Sequence, residues 1–284
     1  MNLKTVVRPT RKTAAALGVA VAGVAALSLA VTAPAGAAQA EHRPSAQARP
    51  TVVLVHGAFV DASSWNGVIK RLQRDGYPVV APANPLRGLA GDAAYINSYL
   101  KSIKGPIVLV GHSYGGSVIS QAAAGDSQVK ALVYIAAFAQ DKGESVAELN
   151  SKFPATELGS ALNAVPYPLP GGGTGTDLYV KADKFHEAIA ADVPESVTDL
   201  AGAAQRPVDA SVFDEKPTQA AWQTIPSWDL VTTQDHAINP DEQRFMAKRA
   251  HAHTIEVNSS HAVIVSHPGV VTGLIEQAAG STVR

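Results

Sequence analysis

The sequence predicts an α/β fold, with a mostly parallel central sheet covered by helices on both faces and a small helical cap inserted late in the sheet. Three observations predict it. Short runs such as TVVLVH (51–56), PIVLVG (106–111) and KALVYIAAF (130–138) are apolar at nearly every position, the pattern of strands buried on both faces. Segments of helical period alternate with these runs, as they do when parallel strands are joined by helical crossovers. A stretch of different texture, about 139–224, interrupts the alternation before a strand pattern returns at SWDLVTT (227–233).

Taken in order, Gly57 stops the first strand, and Ser63 or Ser64 is placed to cap a helix that runs to Asp75 before Gly76. PVVAP (78–82) is a short second strand. GDAAYINSYLKSI (91–103) carries Ile96, Leu100 and Ile103 on one helical face. After the third strand a helix is expected over 117–124, then the fourth strand. The interrupting segment holds short helical patterns and the loop PLPGGGTG, whose glycines match no phosphate-binding fingerprint. It is expected to lie over the C-terminal edge of the strands, where α/β sheets place their ligands. DEQRFMAKRA supplies a helix after Pro240, HTIEVN (253–258) a strand, and 268–279 the last helix.

Composition narrows the function classes. The chain has 284 residues, 46% of them apolar, enough for a substantial core. A formal charge of −1 gives no reason to expect nucleic acid or an anionic membrane as partner. No cysteine is present, which excludes a Cys nucleophile and thiolate metal sites. The first 40 residues stand apart. Lys4, Arg8, Arg11 and Lys12 precede an uncharged run from Ala14 to Val31, and small residues end in Ala38-Gln39-Ala40. That order describes a secretory signal peptide cleaved near Ala40. The rival reading is an uncleaved membrane anchor, but the run is rich in Ala and Gly rather than Leu. Arg8 and Arg11 are not adjacent, so a twin-arginine signal is not supported. Removing residues 1–40 takes the charge from −1 to −5. The mature protein is expected outside the cell without stable membrane association, with 41–50 as a polar linker and 51–284 as the domain.

The chemistry centres on Gly111-His112-Ser113-Tyr114-Gly115, a G-x-S-x-G pattern between a buried strand and a helix. A nucleophile on a sharp turn projects its Oγ above the sheet edge, and the following helix points free N–H groups towards developing negative charge. A serine needs a base. Of nine histidines, His56 and His112 sit where they would hydrogen-bond the turns. His261, in NSSHAVIVSHP (258–268), follows the last strand and is assigned as base; His267, before Pro268, is assigned a structural place. His251 and His253 lack further ligands for a metal, and no metal is expected. In sheets with this turn the chain order is serine, acid, histidine. Asp235, just past the fifth strand and 26 residues before His261, is the acid. Asp241 fits a helix first turn instead, and Asp141, after the fourth strand, is the remaining rival. Oxyanion donors are expected from the backbone N–H of Ala58 or Phe59, after the first strand, and of Tyr114. Tentative apolar lining residues are Phe59, Tyr114, Phe138, Phe153 and Trp228.

At these residues (LVHGAFVDASSW, GHSYGG, TQDHAINP and SSHAVIVSHP) the chain resembles the α/β-hydrolase superfamily over about 50–280. Within it the chain looks like a branch of small bacterial serine esterases related to plant methyl esterases and hydroxynitrile lyases. The resemblance implies a Ser-His-Asp hydrolase that acts on a small-molecule ester or lactone and needs no cofactor, with Ser113, Asp235 and His261 as its triad. Plant hydroxynitrile lyases carry a Lys directly after the catalytic histidine; Ala262 stands there in this sequence, which argues against lyase activity. Ser113 argues against the epoxide hydrolases and haloalkane dehalogenases of this fold, which use an Asp nucleophile. Two alternatives share the triad: a cofactor-free perhydrolase or haloperoxidase, and a ligand-binding protein that keeps the fold without turnover.

Overall fold

The computed structural model describes residues 49–282. The signal-peptide expectation for residues 1–40, and most of the expected linker, lie outside the described residues. The linker's last residues are tied to the domain: Arg49 donates to the carbonyl of Asp75 and lies 4.5 Å over the ring of Tyr77.

The strands are β1 (Thr51–Val55), β2 (Val79–Val80), β3 (Ile107–His112), β4 (Val129–Ile135), β5 (Leu162–Pro168), β6 (Thr174–Val180), β7 (Val208–Asp209), β8 (Ser227–Thr232) and β9 (His253–Val257). The helices are α1 (Asn66–Arg74), α2 (Leu89–Leu100), α3 (Tyr114–Ala122), α4 (Val146–Asn150), α5 (Glu157–Ala161), α6 (Phe185–Ile189), α7 (Glu195–Ala203), α8 (Pro240–Arg249), α9 (Val263–Ser266) and α10 (Pro268–Ser281). Six strands form one sheet in the order β2-β1-β3-β4-β8-β9, every pair parallel. The apolar runs have the expected cause: all six residues of β3 are buried, because helices cover both faces. On one face Trp65, Leu72, Val271, Leu274 and Ile275 pack from α10 and the α1 region. On the other, Leu89, Ile96, Val118 and Ile119 pack from α2 and α3, continuous with apolar residues of the segment between β4 and β8.

Two local expectations change. The first helical turn is capped by Asp61, whose carboxylate accepts from Ser63 N–H at 2.8 Å, not by Ser63 or Ser64. The third helix starts at Tyr114 rather than Ser117, directly after the serine. Gly115 and Gly116 are poor helix formers in isolation. Here they allow a close approach: a Cβ on Gly115 would meet Val55 O at 2.4 Å, and one on Gly116 would meet Phe138 O at 2.3 Å.

The segment between β4 and β8 holds the expected short helices α4 to α7. It also carries a three-stranded antiparallel sheet, β5-β6-β7, which the expectation of a helical cap omitted. Gly171, Gly172 and Gly173, all at positive φ, make the hairpin turn between β5 and β6. The segment is tied to the loop after β8. Thr156 Oγ1 donates to Ala237 O at 3.1 Å, Leu158 N–H to His236 O at 3.1 Å, and Asn239 Nδ2 to Pro154 O at 3.1 Å. Among the described residues, no helix is long and apolar enough to cross a membrane.

Candidate active site

Parallel strands bring all their C-terminal ends to one edge. The registers Val55↔Gly111, Ile135↔Leu230 and Thr232↔Val257 place the loops after β1, β3, β8 and β9 beside one another there. His56, Ser113, Asp235 and His261 all come from these loops or strand ends.

Ser113 has φ 54° and ψ −126°. A non-glycine residue at positive φ costs on the order of 1–3 kcal/mol and persists only where its surroundings enforce it. The turn is packed too closely for side chains at its glycines. A Cβ on Gly111 would strike Gly115 C at 2.6 Å, and one on Gly57 would come within 2.6 Å of Ser113 Cβ. Unlike most serines at a helix start, Ser113 makes no capping hydrogen bond with its hydroxyl. Its side chain instead lines a cavity of about 350 Å³.

Asp235 is 4% exposed, and every contact of its carboxylate is a donor. Oδ1 accepts from Ala237 N–H at 2.8 Å and Ile238 N–H at 2.9 Å. Oδ2 accepts from Thr232 Oγ1 at 2.7 Å, Gln243 Nε2 at 2.8 Å and His261 Nδ1 at 2.8 Å. Burial pushes this carboxyl up, but the neighbouring His261 and the hydrogen bonds outweigh it and hold the group below the usual carboxylate range. The bond fixes the tautomer: Nδ1 of His261 carries the proton, so Nε2 is the lone-pair nitrogen.

The other histidines near this edge serve the backbone. His56 Nδ1 donates to Gly57 O at 2.9 Å, and its Nε2 accepts from Asn84 N–H at 2.9 Å. His112 Nε2 donates to the carbonyl of His261 at 2.9 Å. Complete burial, and then the nearby His261, push the His112 imidazole down to about 3, so it stays neutral and holds the His261 loop without charging. His267 Nδ1 lies 2.9 Å from Ser266 Oγ. His251 and His253 belong to no group of His, Asp and Glu that could hold a metal among the described residues. The rival acids point elsewhere: Asp141 accepts from Gln223 Nε2 at 2.7 Å, and Asp241 pairs with Arg244 at 2.7 Å.

Sequence reasoning missed two participants. Asp192, in the inserted segment, accepts from Ser259 Oγ at 2.6 Å and from Ser260 Oγ, clamping the two residues before His261. Gln243, one turn into α8, bridges Asp235 and Thr232. Nothing in the local sequence pattern distinguishes either from a solvated polar residue.

The cavity wall brings Ala58, Phe59, Ser113, Tyr114 and Phe138 together. Tyr114 opens α3, so its N–H has no acceptor within the helix, and its hydroxyl donates to Asp92 at 2.8 Å. Phe59 sits at φ 64°. Two expected lining residues are elsewhere. Phe153 packs on Phe245 with ring centroids 5.8 Å apart, while its neighbours Pro154 and Ala155 line the cavity. Trp228 lies in the core on the α10 side of the sheet, 5.0 Å from the His253 ring. The alternation of side chains along β8 turns it away from the cavity.

Comparison with known proteins places this fold. The alpha/beta hydrolase family model matches residues 52–273. The chain is similar to the alpha/beta hydrolase nvfD of Aspergillus novofumigatus, at 26% identity over 83% of this chain and 99% of that protein. Among solved structures it is similar to polyneuridine aldehyde esterase, with TM-score 0.70 and 18% identity over 81% of this chain and 98% of the other. It is similar also to a pyrethroid hydrolase from Sphingobium faniae JZ-2, with TM-score 0.68 and 20% identity over 82% and 98%. At these identities the structural matches establish the fold.

Proposed function

The chain belongs to the alpha/beta hydrolase family, and on that premise we propose that it hydrolyses a small-molecule carboxylic ester or lactone through an acyl-enzyme on Ser113. The observation that carries the reading is the strained Ser113 facing a cavity, on the same strand edge as a buried Asp235–His261 pair at 2.8 Å. The names of the structural neighbours, an esterase and a pyrethroid hydrolase, support the same chemistry.

In this mechanism Nε2 of His261 takes the Ser113 proton as Oγ attacks the carbonyl carbon. Asp235 stays ionised and stabilises the imidazolium that forms. The tetrahedral oxyanion is held by Tyr114 N–H and by the N–H of Ala58 or Phe59. His261 then protonates the leaving alkoxide, and water repeats the sequence on the acyl-enzyme, returning the serine. Phe59 lines the 350 Å³ cavity and also a second one of about 290 Å³, which Phe185, Ile189 and Val193 line as well.

Each buried CH₂ contributes about 0.8 kcal/mol. With p-nitrophenyl esters from acetyl to decanoyl, kcat/KM is expected to climb with acyl length until the cavity is filled, and to be abolished by phenylmethylsulfonyl fluoride. Absence of hydrolysis across the whole series contradicts the reading.

A further inference from the structure

The cavity that holds Ser113 is walled by apolar and uncharged side chains with one exception, Glu242, from the first turn of α8. Glu242 is 2% exposed. Among the described residues its one hydrogen-bonding neighbour is Asn150 at the end of α4, whose amide nitrogen, turned towards it, lies 2.9 Å from Oε1 and 3.2 Å from Oε2. Nearby cations are already committed. Lys152 pairs with Glu144 at 2.6 Å and Arg249 pairs with Glu144 at 2.8 Å. Asp235 adds a further carboxylate, engaged by His261. Among the described residues, the carboxyl of Glu242 therefore faces a ligand space with no counter-ion. The same wall presents the rings of Phe59, Tyr114, Phe138 and Phe213.

Resting on the esterase reading above, we propose that Glu242 is a specificity-determining residue for substrates that carry a cationic nitrogen on the arm occupying this cavity. A buried carboxylate without a partner is costly, and a ligand cation supplies the missing partner in a desolvated setting where the pair is strong. The aromatic faces give a cation electrostatic attraction and its uncharged isostere apolar contact, so the discrimination rests on the carboxylate. Burial, and then the charges of Glu144 and Asp235, push the Glu242 carboxyl up to about 8, with Lys152 opposing weakly. Near neutrality an uncharged guest thus meets largely the carboxylic acid, while a cation draws the group into its ionised form.

The test uses isosteric pairs that differ only in charge. One pair places it on the acyl arm, as the p-nitrophenyl esters of 4-(trimethylammonio)butyric acid and 5,5-dimethylhexanoic acid. The other places it on the alcohol arm, as the butyrates of choline and 3,3-dimethylbutan-1-ol. Wild type is expected to favour the cationic member of one pair by about tenfold or more in kcat/KM. That ratio should rise from about pH 6 to about pH 9 as the carboxyl ionises. Glu242→Gln, and Glu242→Leu as a second variant suited to the apolar wall, should bring the ratio to one or below. A ratio compares two substrates on the same protein, so a general loss of folded enzyme does not move it. A wild-type ratio of one in both pairs, or a preference unchanged in both variants, overturns the proposal. If no ester is turned over, the esterase reading has failed. Binding of choline against 3,3-dimethylbutan-1-ol, followed by ligand-observed NMR in wild type and Glu242→Gln, then decides the Glu242 site separately: selective binding lost in the variant supports it, and equal binding refutes it.

Discussion

Ser113→Ala is expected to lower kcat/KM for p-nitrophenyl butyrate by a factor on the order of 10⁵–10⁶, the loss that follows removal of a serine nucleophile from a triad. The substitution takes away one oxygen and leaves Cβ in place. The cavity wall, the Asp235–His261 bond and the free N–H of Tyr114 do not depend on Oγ, so ligand binding should persist while chemistry stops. Because the hydroxyl makes no capping bond in α3, its loss should not lower thermal stability. A variant that retains a substantial part of wild-type turnover would place the nucleophile elsewhere.

Asp235→Asn is expected to lower kcat by about 10⁴-fold. The carboxylate holds His261 with its proton on Nδ1, at 2.8 Å. An amide NH₂ in that position would donate to Nδ1, move the imidazole proton to Nε2, and remove the lone pair that accepts the serine proton. The same change disturbs the bonds from Thr232 Oγ1 and Gln243 Nε2. An unsatisfied buried polar group costs about 1–3 kcal/mol, so a lower melting temperature should accompany the loss of activity. Steady-state kinetics well below that temperature, with folding checked by circular dichroism, separate the two effects. Activity within tenfold of wild type would mean that Asp235 does not set the tautomer.

The sheet was legible because both faces of its inner strands are buried, which writes uninterrupted apolar runs such as IVLV in β3. Ser113, Asp235 and His261 could be picked out as candidates because each follows a readable strand, and parallel strands deliver their C-terminal ends to one edge. The inserted segment was not legible in the same way. β5 contains Pro166 and Pro168 and is largely exposed, so no apolar alternation marked it, and its pairing with β6 is a long-range fact. Phe153 and Trp228 show a second limit. An aromatic residue near the right edge of a sheet fits either core, and only the packing decides that Trp228 belongs with α10. Glu242 shows a third. In PDEQRFMAKR it reads as an acid in a helix first turn, favourable to the helix dipole. Its burial against Asn150 arises only because α4, from a segment about 90 residues earlier, closes over it.

The central claim is that Ser113 becomes covalently acylated. The most direct measurement is mass spectrometry of the protein after reaction with diethyl p-nitrophenyl phosphate, which phosphorylates an activated serine and is not readily hydrolysed from it. A single diethylphosphoryl group is expected on the peptide containing Ser113, and none on Ser113→Ala. An unlabelled wild-type protein, or a label on another residue with Ser113 unmodified, would contradict it.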